Sequence, residues 1–291
     1  MTKVLIIGAG KMGSAIAKEL ASQSVQINLF NRSASKLDEI KKEIASPTFS
    51  TSSNLLESIP DADVIITLLT SGIIVEEVLL APGILGACKP TAIIVDMSTS
   101  GVQSATKLDS AITAVGLRFV DAPVSGSMAT IASHQLLVMA SGDTGAIKEV
   151  TPTLMKFSKK VADLGPAGNG QVMKLAVNLI VHSLNAAIAE SLAIATTAGV
   201  SVESAYDIFE ESVVAAPYLK YKRAAFTTPG TPVAMRIDTV LKDMNLITGL
   251  ATELGVDLIA TPAVKNAYAA AVEQGLSDRD MSAVIDSFKK H

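Results

Sequence analysis

The stretch Val4-Leu-Ile-Ile7-Gly8-Ala9-Gly10-Lys11-Met12-Gly13, followed by residues 14–21, decides the fold. Val4 to Ile7 is a short apolar run with β-branched residues that stops at a glycine, the pattern of a buried strand. In the residues that follow, Ile16, Ala17 and Leu20 share one face at helical spacing. Between strand and helix lies G-x-G-x-x-G, in the context where that spacing binds a dinucleotide. Gly8 permits the tight turn, Gly10 omits the Cβ that would block a pyrophosphate, and Gly13 lets the helix pack close on the strand. The helix N-terminus then offers N–H groups and the positive end of its dipole to the phosphates. Lys11 and Met12 complete the candidate loop. A glycine-rich turn without a ligand is the plain alternative, and the regular strand–helix–strand order around the motif argues against it.

A second strand is expected over residues 25–30. In NAD-preferring domains this strand usually ends in Asp or Glu, which accepts hydrogen bonds from the ribose 2′-OH. Here it ends in Asn31-Arg32-Ser33, with Lys36 three residues on. An acid would repel a 2′-phosphate, whereas an arginine grips one with paired charge-assisted bonds. The sequence therefore predicts NADP(H) over NAD(H), with Asn31, Arg32, Ser33 and Lys36 as candidate contacts. Further strands are expected over 48–50, 63–68, 92–96 and 117–121, with helices over 72–80 and 101–114. Such alternation implies an α/β fold with a Rossmann-type doubly wound parallel sheet, assigned here to residues 1–163. Ligands bind at the carboxyl ends of such strands. Leu68, Leu69, Ser98 and Thr99 thus join the cofactor candidates, and the loop after Asp121 belongs near the reactive ring.

Past about residue 164 the strand signals stop. Helices are expected over 171–198, 201–212, 218–225, 235–254, 262–274 and 281–289, an all-α domain over 164–291 built on a long central helix. That helix is apolar on nearly every face, which reads as burial on all sides, and Gly199 is a suitable stop. Lys174 is the only formally charged side chain between Asp163 and Glu190. A lysine is rarely buried without a partner or a function. Asn178 and His182 follow at i+4 and i+8 on the same flank. The plain reading of Lys174 is a stem snorkelling to solvent. His182 lies two turns on, about 12 Å at 1.5 Å per residue, and reads as structural. So does His134, placed in an expected strand.

Composition narrows the classes. The 291 residues suit two domains, and 49% apolar with 18% charged residues describes a core-rich globular chain. A net charge of -4 with no Lys/Arg run predicts no nucleic-acid partner. No stretch of about 18 residues lacks polar breaks, so no spanning helix is expected. The best candidate, 172–189, carries Lys174, Asn178, His182 and Asn185. The apolar run before Gly8 is too short for a secretory h-region. Cys88 is the only cysteine, which excludes an intrachain disulfide and a thiolate cluster and fits a cytoplasmic location. No His/Asp/Glu cluster predicts a metal.

The remaining segment with chemical content is Asp121-Ala-Pro-Val-Ser125-Gly126-Ser127. Pro123 stiffens the backbone, and Ser125-Gly126 offers a hydroxyl and unhindered N–H groups, a cradle for a carboxylate. With this segment included, the sequence resembles the β-hydroxyacid dehydrogenase family, which includes 3-hydroxyisobutyrate dehydrogenases and the tartronate and glyoxylate/succinic semialdehyde reductases. Four segments carry the resemblance over essentially the whole chain. They are Gly8 to Gly13, Asp121 to Gly126, Gly165-x-x-Gly168-x-Gly170-x-x-x-Lys174-x-x-x-Asn178, and Lys242-Asp243. The resemblance implies Lys174 as the catalytic acid/base, Asn178 as a residue holding the substrate, Ser125-Gly126 as the carboxylate site, and Lys242 near substrate and cofactor. The chain departs from the family pattern at Ser127, where a second glycine is usual, and at Met235, where the glyoxylate/succinic semialdehyde reductases tend to place an aromatic. Both count as candidate substrate contacts.

The implied function is an NADP(H)-dependent oxidoreductase that interconverts a small β-hydroxyacid and its semialdehyde, working as a reductase in a homodimer or homotetramer. Its partner is a small carboxylate-bearing aldehyde or hydroxyacid, with no membrane and no metal. An ammonium at Lys174 would polarise the carbonyl and protonate the alkoxide; burial would lower its pKa so that the reverse step can use a neutral amine. One alternative is an imine reductase of the same fold, although those relatives usually lack the lysine. Another is a non-catalytic NADP-binding sensor or scaffold, which needs none of Ser125, Lys174 and Asn178.

Overall fold

Side chains alternate along the first strands of the computed structural model, which describes residues 2–288. In β1 (Lys3–Ile7), Val4 and Ile6 enter one apolar core, and Leu5 and Ile7 enter another. The split repeats in β2 (Gln26–Phe30), with Ile27 and Leu29 against Phe30. Next comes β3 (Phe49–Ser52), and then β4 (Val64–Thr67), with Val64 and Ile66 against Ile65. It continues in β5 (Ile93–Asp96) and β6 (Arg118–Asp121), where Ile94 and Phe119 oppose Val95 and Val120. A sheet apolar on both faces needs cover on both. Helices α1 (Lys11–Ser22) and α2 (Ala34–Glu43) bring Ile16, Leu20, Leu37 and Ile40 to the first core. After the short α3 (Leu55–Ser58), helices α4 (Gly72–Leu79) and α5 (Val102–Thr113) bring Val75, Leu79, Leu108 and Ile112 to the second.

These six strands are parallel and ordered β3-β2-β1-β4-β5-β6. The chain winds outward from β1 in one direction, then restarts at β4 on the other side. That reversal opens a crevice beyond the carboxyl ends of β1 and β4, where doubly wound sheets bind ligands. Each expected strand is present, with ends shifted by a residue or two.

The sheet then continues beyond the expected six strands. Following β6 are β7 (Val124–Ser125), α6 (Met128–Ala132), β8 (Leu136–Gly142), α7 (Thr144–Leu154) and β9 (Ser158–Asp163). Strand β8 runs antiparallel to both β6 and β7, and β9 runs parallel to β8. The parallel arrangement therefore holds for β1 to β6 and gives way to a mixed edge. His134 is not in a strand. It lies in the turn after α6 with φ at 55°, and its Nε2 sits 2.7 Å from Glu19 Oε1 on α1.

The chain divides into two compact units after Lys174. Helix α8 (Asn169–Thr197) starts in the first and continues in the second. The second unit adds α9 (Val202–Glu211), α10 (Pro217–Thr227), α11 (Ile237–Leu254), α12 (Thr261–Glu273) and a 3₁₀ run, Met281–Phe288. The expected helix over 281–289 is thus 3₁₀ as far as Phe288, and Lys289 lies outside the described residues. One core joins Leu175, Ala186, Val240, Met244, Ile247 and Tyr268. A buried pair, Lys222 Nζ to Asp280 Oδ1 at 2.6 Å, leaves Asp280 Oδ2 to accept from Ala234 N at 2.8 Å, anchoring the segment that enters α11.

One expectation for α8 is corrected. It is not buried on every side, since Ile180 and Ile194 are 65% and 73% exposed. By length and composition alone it is also apolar enough to cross a membrane, a test that the central helix of a helical core passes equally. Gly199, with φ at 92°, follows its end in the left-handed region that stops helices.

Candidate active site

The three fingerprint glycines are glycine for different reasons. At Gly8 (φ 116°) a Cβ would stand 2.3 Å from the carbonyl oxygen of Leu68, and at Gly13 one would stand 2.0 Å from that of Gly8. At Gly10 a Cβ would meet nothing within 4 Å. The outer two are required by packing, whereas Gly10 faces open space at the N-terminus of α1. The first turn of α1 carries no acid and no side-chain cap, so its dipole end is left to an anion. Leu68 and Leu69 flank Gly8, Lys11 is exposed, and Met12 packs against the first core. Beyond β2, Asn31 Nδ2 donates to Ser33 O at 3.4 Å and Ser33 Oγ lies 3.0 Å from Ser35 Oγ, with Arg32 and Lys36 exposed. No carboxylate occurs among residues 31–36. These residues fit a dinucleotide, and the charge at the end of β2 fits an added phosphate.

A hydrogen-bonded cluster lies at the carboxyl ends of β5 and β6. Asp96 and Asp121 are both fully buried. Asp96 accepts from Thr67 Oγ1 at 2.7 Å, Ser98 N at 3.0 Å and Ser100 Oγ at 2.5 Å. Asp121 accepts from Gln171 Nε2 at 2.7 Å, Gln171 N at 3.1 Å and Ser141 Oγ at 3.0 Å. Gly170 N donates to Ser141 Oγ at 2.9 Å, and a Cβ at Gly170 would stand 2.5 Å from Met139 O. Burial, with Asp96 nearby, pushes the Asp121 carboxyl up to about 7, against the lowering by Gln171 and Ser141. Burial also raises Asp96.

This cluster changes the reading of Ser98. Its side chain is buried and its Oγ accepts from Leu69 N at 2.9 Å, so it braces two loops. Thr99 is the half-exposed residue of that pair. Ser125 is half-buried in β7, and Gly126 is exposed at φ 145°, where a Cβ would stand 2.2 Å from Thr130 Oγ1. Ser127 is the N-cap of α6, and its backbone N–H is taken by Thr130 Oγ1 at 2.7 Å. The departure from Gly-Gly begins a helix.

Lys174 is half-buried one turn after Gln171 on α8. In the helical unit, Asn178 is buried, and its Nδ2 donates to Asp243 Oδ2 at 2.7 Å. Lys242 Nζ lies 3.0 Å from Asp243 Oδ1, and His182 Nε2 lies 3.5 Å from Asp243 Oδ2. His182 is fully buried and edge-on to Tyr268, with ring centroids 6.4 Å apart. Met235 is half-buried against the helical core, with its carbonyl accepting from Met281 N at 2.8 Å. The structure thus collects Asn178, Lys242 and His182 around Asp243. Sequence reasoning did not single out Gln171, and it read Asp96 as a strand end and Asp121 as a strand end that opens the Ser125–Gly126 loop. The available signal was an aspartate closing each of two apolar strands, the first followed by Ser98-Thr99-Ser100.

Comparison with known proteins agrees with this geometry. Residues 3–165 match the profile of the NAD binding domain of 6-phosphogluconate dehydrogenase. Residues 168–288 match the profile described as NAD-binding of NADP-dependent 3-hydroxyisobutyrate dehydrogenase. The chain belongs to the 3-hydroxyisobutyrate dehydrogenase family. Among relatives of this family, glyoxylate/succinic semialdehyde reductase 1 of Arabidopsis thaliana is 32% identical, with 99% of this chain and 98% of that protein covered. The chloroplastic reductase 2 of the same plant is 29% identical over 97% of this chain and 78% of its own length. The crystal structure of a Salmonella typhimurium 3-hydroxyisobutyrate dehydrogenase shares the fold with a TM-score of 0.91, at 24% identity, covering 99% of this chain and 100% of that one. Family membership makes the chain an NAD(P)-dependent oxidoreductase.

The contrast between the glycines is testable. Gly13→Ala is expected to cost about 1–3 kcal/mol, the range for overpacking, seen as a lower thermal midpoint. Gly10→Ala is expected to leave the midpoint unchanged while weakening NADPH, followed by nicotinamide fluorescence, by about tenfold or more, as for loss of a charged hydrogen bond. Equal effects of the two on stability would contradict the assignment.

Proposed function

We propose that this protein is an NADP(H)-dependent semialdehyde reductase. In this reading it interconverts a small aldehyde bearing a carboxylate and the corresponding β-hydroxyacid. The carrying observation is the tie between two chemical segments. The start of the helix that bears Lys174 is hydrogen-bonded through Gln171 to Asp121, the residue that opens the Ser125–Gly126 loop. Both segments belong to the first compact unit. The names of the plant relatives, glyoxylate/succinic semialdehyde reductases, support the substrate class.

A bound reduced nicotinamide supplies the hydride. The residues do the rest. Ser125 and Gly126 hold the substrate carboxylate and so fix which end of the molecule faces the ring. The Lys174 ammonium donates to the carbonyl oxygen, stabilises the charge that develops there, and delivers its proton to it. Asn178, one turn further along α8, is held by Asp243. In oxidation the proton returns to a neutral Lys174 amine.

NADP(H) preference rests on Arg32 and Lys36, exposed beyond β2 where an acid would otherwise select NAD(H). Arg32→Asp is expected to weaken NADPH on the order of 10- to 100-fold, the worth of one or two charge-assisted bonds, with NADH nearly unchanged. Equal losses in titrations of both cofactors would refute the 2′-phosphate role. Lys174→Ala is expected to lower kcat by on the order of 10³, the usual span for a lost acid/base, with NADPH affinity within about threefold. Retained turnover in steady-state assays would remove the lysine from the mechanism.

Self-association belongs to the same proposal. Ile194, Ile208, Val213, Val214 and Ile259 are all exposed in the helical unit, an apolar burden that a second copy would cover. Light scattering is expected to give a dimer or tetramer of the 30.1 kDa chain. A monomer at micromolar concentration would contradict it.

A further inference from the structure

Beyond its tie to Asp121, Gln171 also binds the loop after β5. It is fully buried, and its carboxamide satisfies every valence it has. Oε1 accepts from Ser100 N at 3.0 Å and Gly101 N at 3.1 Å. Nε2 donates to Ser98 O at 3.1 Å and to Asp121 Oδ1 at 2.7 Å. The backbone N–H adds a bond to Asp121 Oδ2 at 3.1 Å. Three chain segments meet at this one side chain: the loop after β5 that carries Thr99, the end of β6 that opens the Ser125–Gly126 loop, and the first turn of α8.

We propose that Gln171 is a positioning residue that locks the phase and height of the α8 start, and hence of Lys174, to the loop after β5 and to the carboxylate loop. The inference rests on the reductase reading above. Lys174 follows Gln171 by three residues, so both lie on one side of the helix about 4.5 Å apart along its axis at 1.5 Å per residue. A rotation or slide of the first turn would break at least two of the amide's four bonds. Leaving buried donors or acceptors unpaired is costly, so the amide selects one setting of the turn. The reason for glutamine at this place is electrostatic. The cluster already contains the carboxyls of Asp96 and Asp121, both raised by burial, with Ser98, Ser100, Ser141 and Thr67 as their hydroxyl neighbours. An ionised third acid would repel both carboxyls and would have no donor to offer Ser98 O and Asp121, whereas the amide supplies donor and acceptor without charge. Methionine would fill the space but could not direct the turn.

The test uses Gln171→Met and Gln171→Glu in the full chain. Gln171→Met is expected to lower kcat by about 10- to 100-fold, the effect of an ångström-scale misplacement. NADPH affinity by fluorescence should stay within about threefold of the wild type, the tolerance set for a change outside the binding contacts. In the protein without cofactor, amide hydrogen exchange should quicken together in residues 98–101 and 169–175, because one side chain holds both. Unchanged kcat in a folded variant, a loss confined to cofactor affinity, or quickened exchange in only one of the two segments would each overturn the proposal. Gln171→Glu keeps the shape. As a neutral acid it retains one donor and one acceptor, so its activity relative to wild type should rise as pH falls below neutral. A pH-independent ratio would overturn the proposal even if the methionine variant did not fold. If the wild type itself reduced no semialdehyde, the reductase reading would fail, and the exchange experiment would still decide the clamp.

Discussion

Asp121 is a carboxylate taken fully out of water at the end of a central strand, and the first unit is arranged around satisfying it. Three donors reach it, two from Gln171 and one from Ser141. They do not win outright. Each hydrogen bond to a charged group contributes about 1.5–3 kcal/mol, yet burial and the neighbouring Asp96 still drive the group up to about 7. Burial and the Asp96 carboxyl together outweigh the lowering by Gln171 and Ser141, and losing a donor would add to that imbalance. This constraint explains why the strand end, the loop after β5 and the start of α8 keep one arrangement. It also explains Gly170, where a side chain would collide with the backbone of β8 and with Asp121 itself.

A second buried carboxylate has the corresponding place in the helical unit. Asp243 is bound by Asn178, lies beside Lys242 and faces His182. That bond fixes the orientation of the Asn178 amide. The two units follow one rule: the polar residues closest to the proposed chemistry are oriented by an acid that is itself sealed from solvent.

Much of this was legible in the sequence. Six strands and their helices followed from short apolar runs alternating with helical spacing, because a parallel sheet covered on both faces demands continuous apolar strands. Gly8 and Gly13 were readable because packing at the turn leaves no room for a Cβ, and Gly10 because a pyrophosphate would need the space a Cβ takes. The mixed edge of the sheet was less legible. Leu136 to Ala140 is an apolar run whose periodicity does not distinguish a buried strand from a helix, and α6 hides behind a serine that reads equally as a ligand group. The exposure of Ile180 and Ile194 could not be inferred from a helix apolar all round, since composition does not say which side meets the core. Gln171 was illegible for another reason. Its partners lie some 50 to 70 residues away in sequence, and an uncharged amide gives no signal of its own beside Lys174.

The central claim is that this constellation transfers hydride to a carboxylate-bearing aldehyde. The most direct measurement is a single turnover of excess enzyme loaded with NADPH deuterated at the transferring C4 position, mixed in turn with small semialdehydes and followed by product NMR. The expected result is one deuterium on the carbinol carbon of the hydroxyacid, in step with loss of the reduced-nicotinamide absorbance. Unlabelled product, or no product from any semialdehyde while NADPH remains tightly bound, would contradict the account.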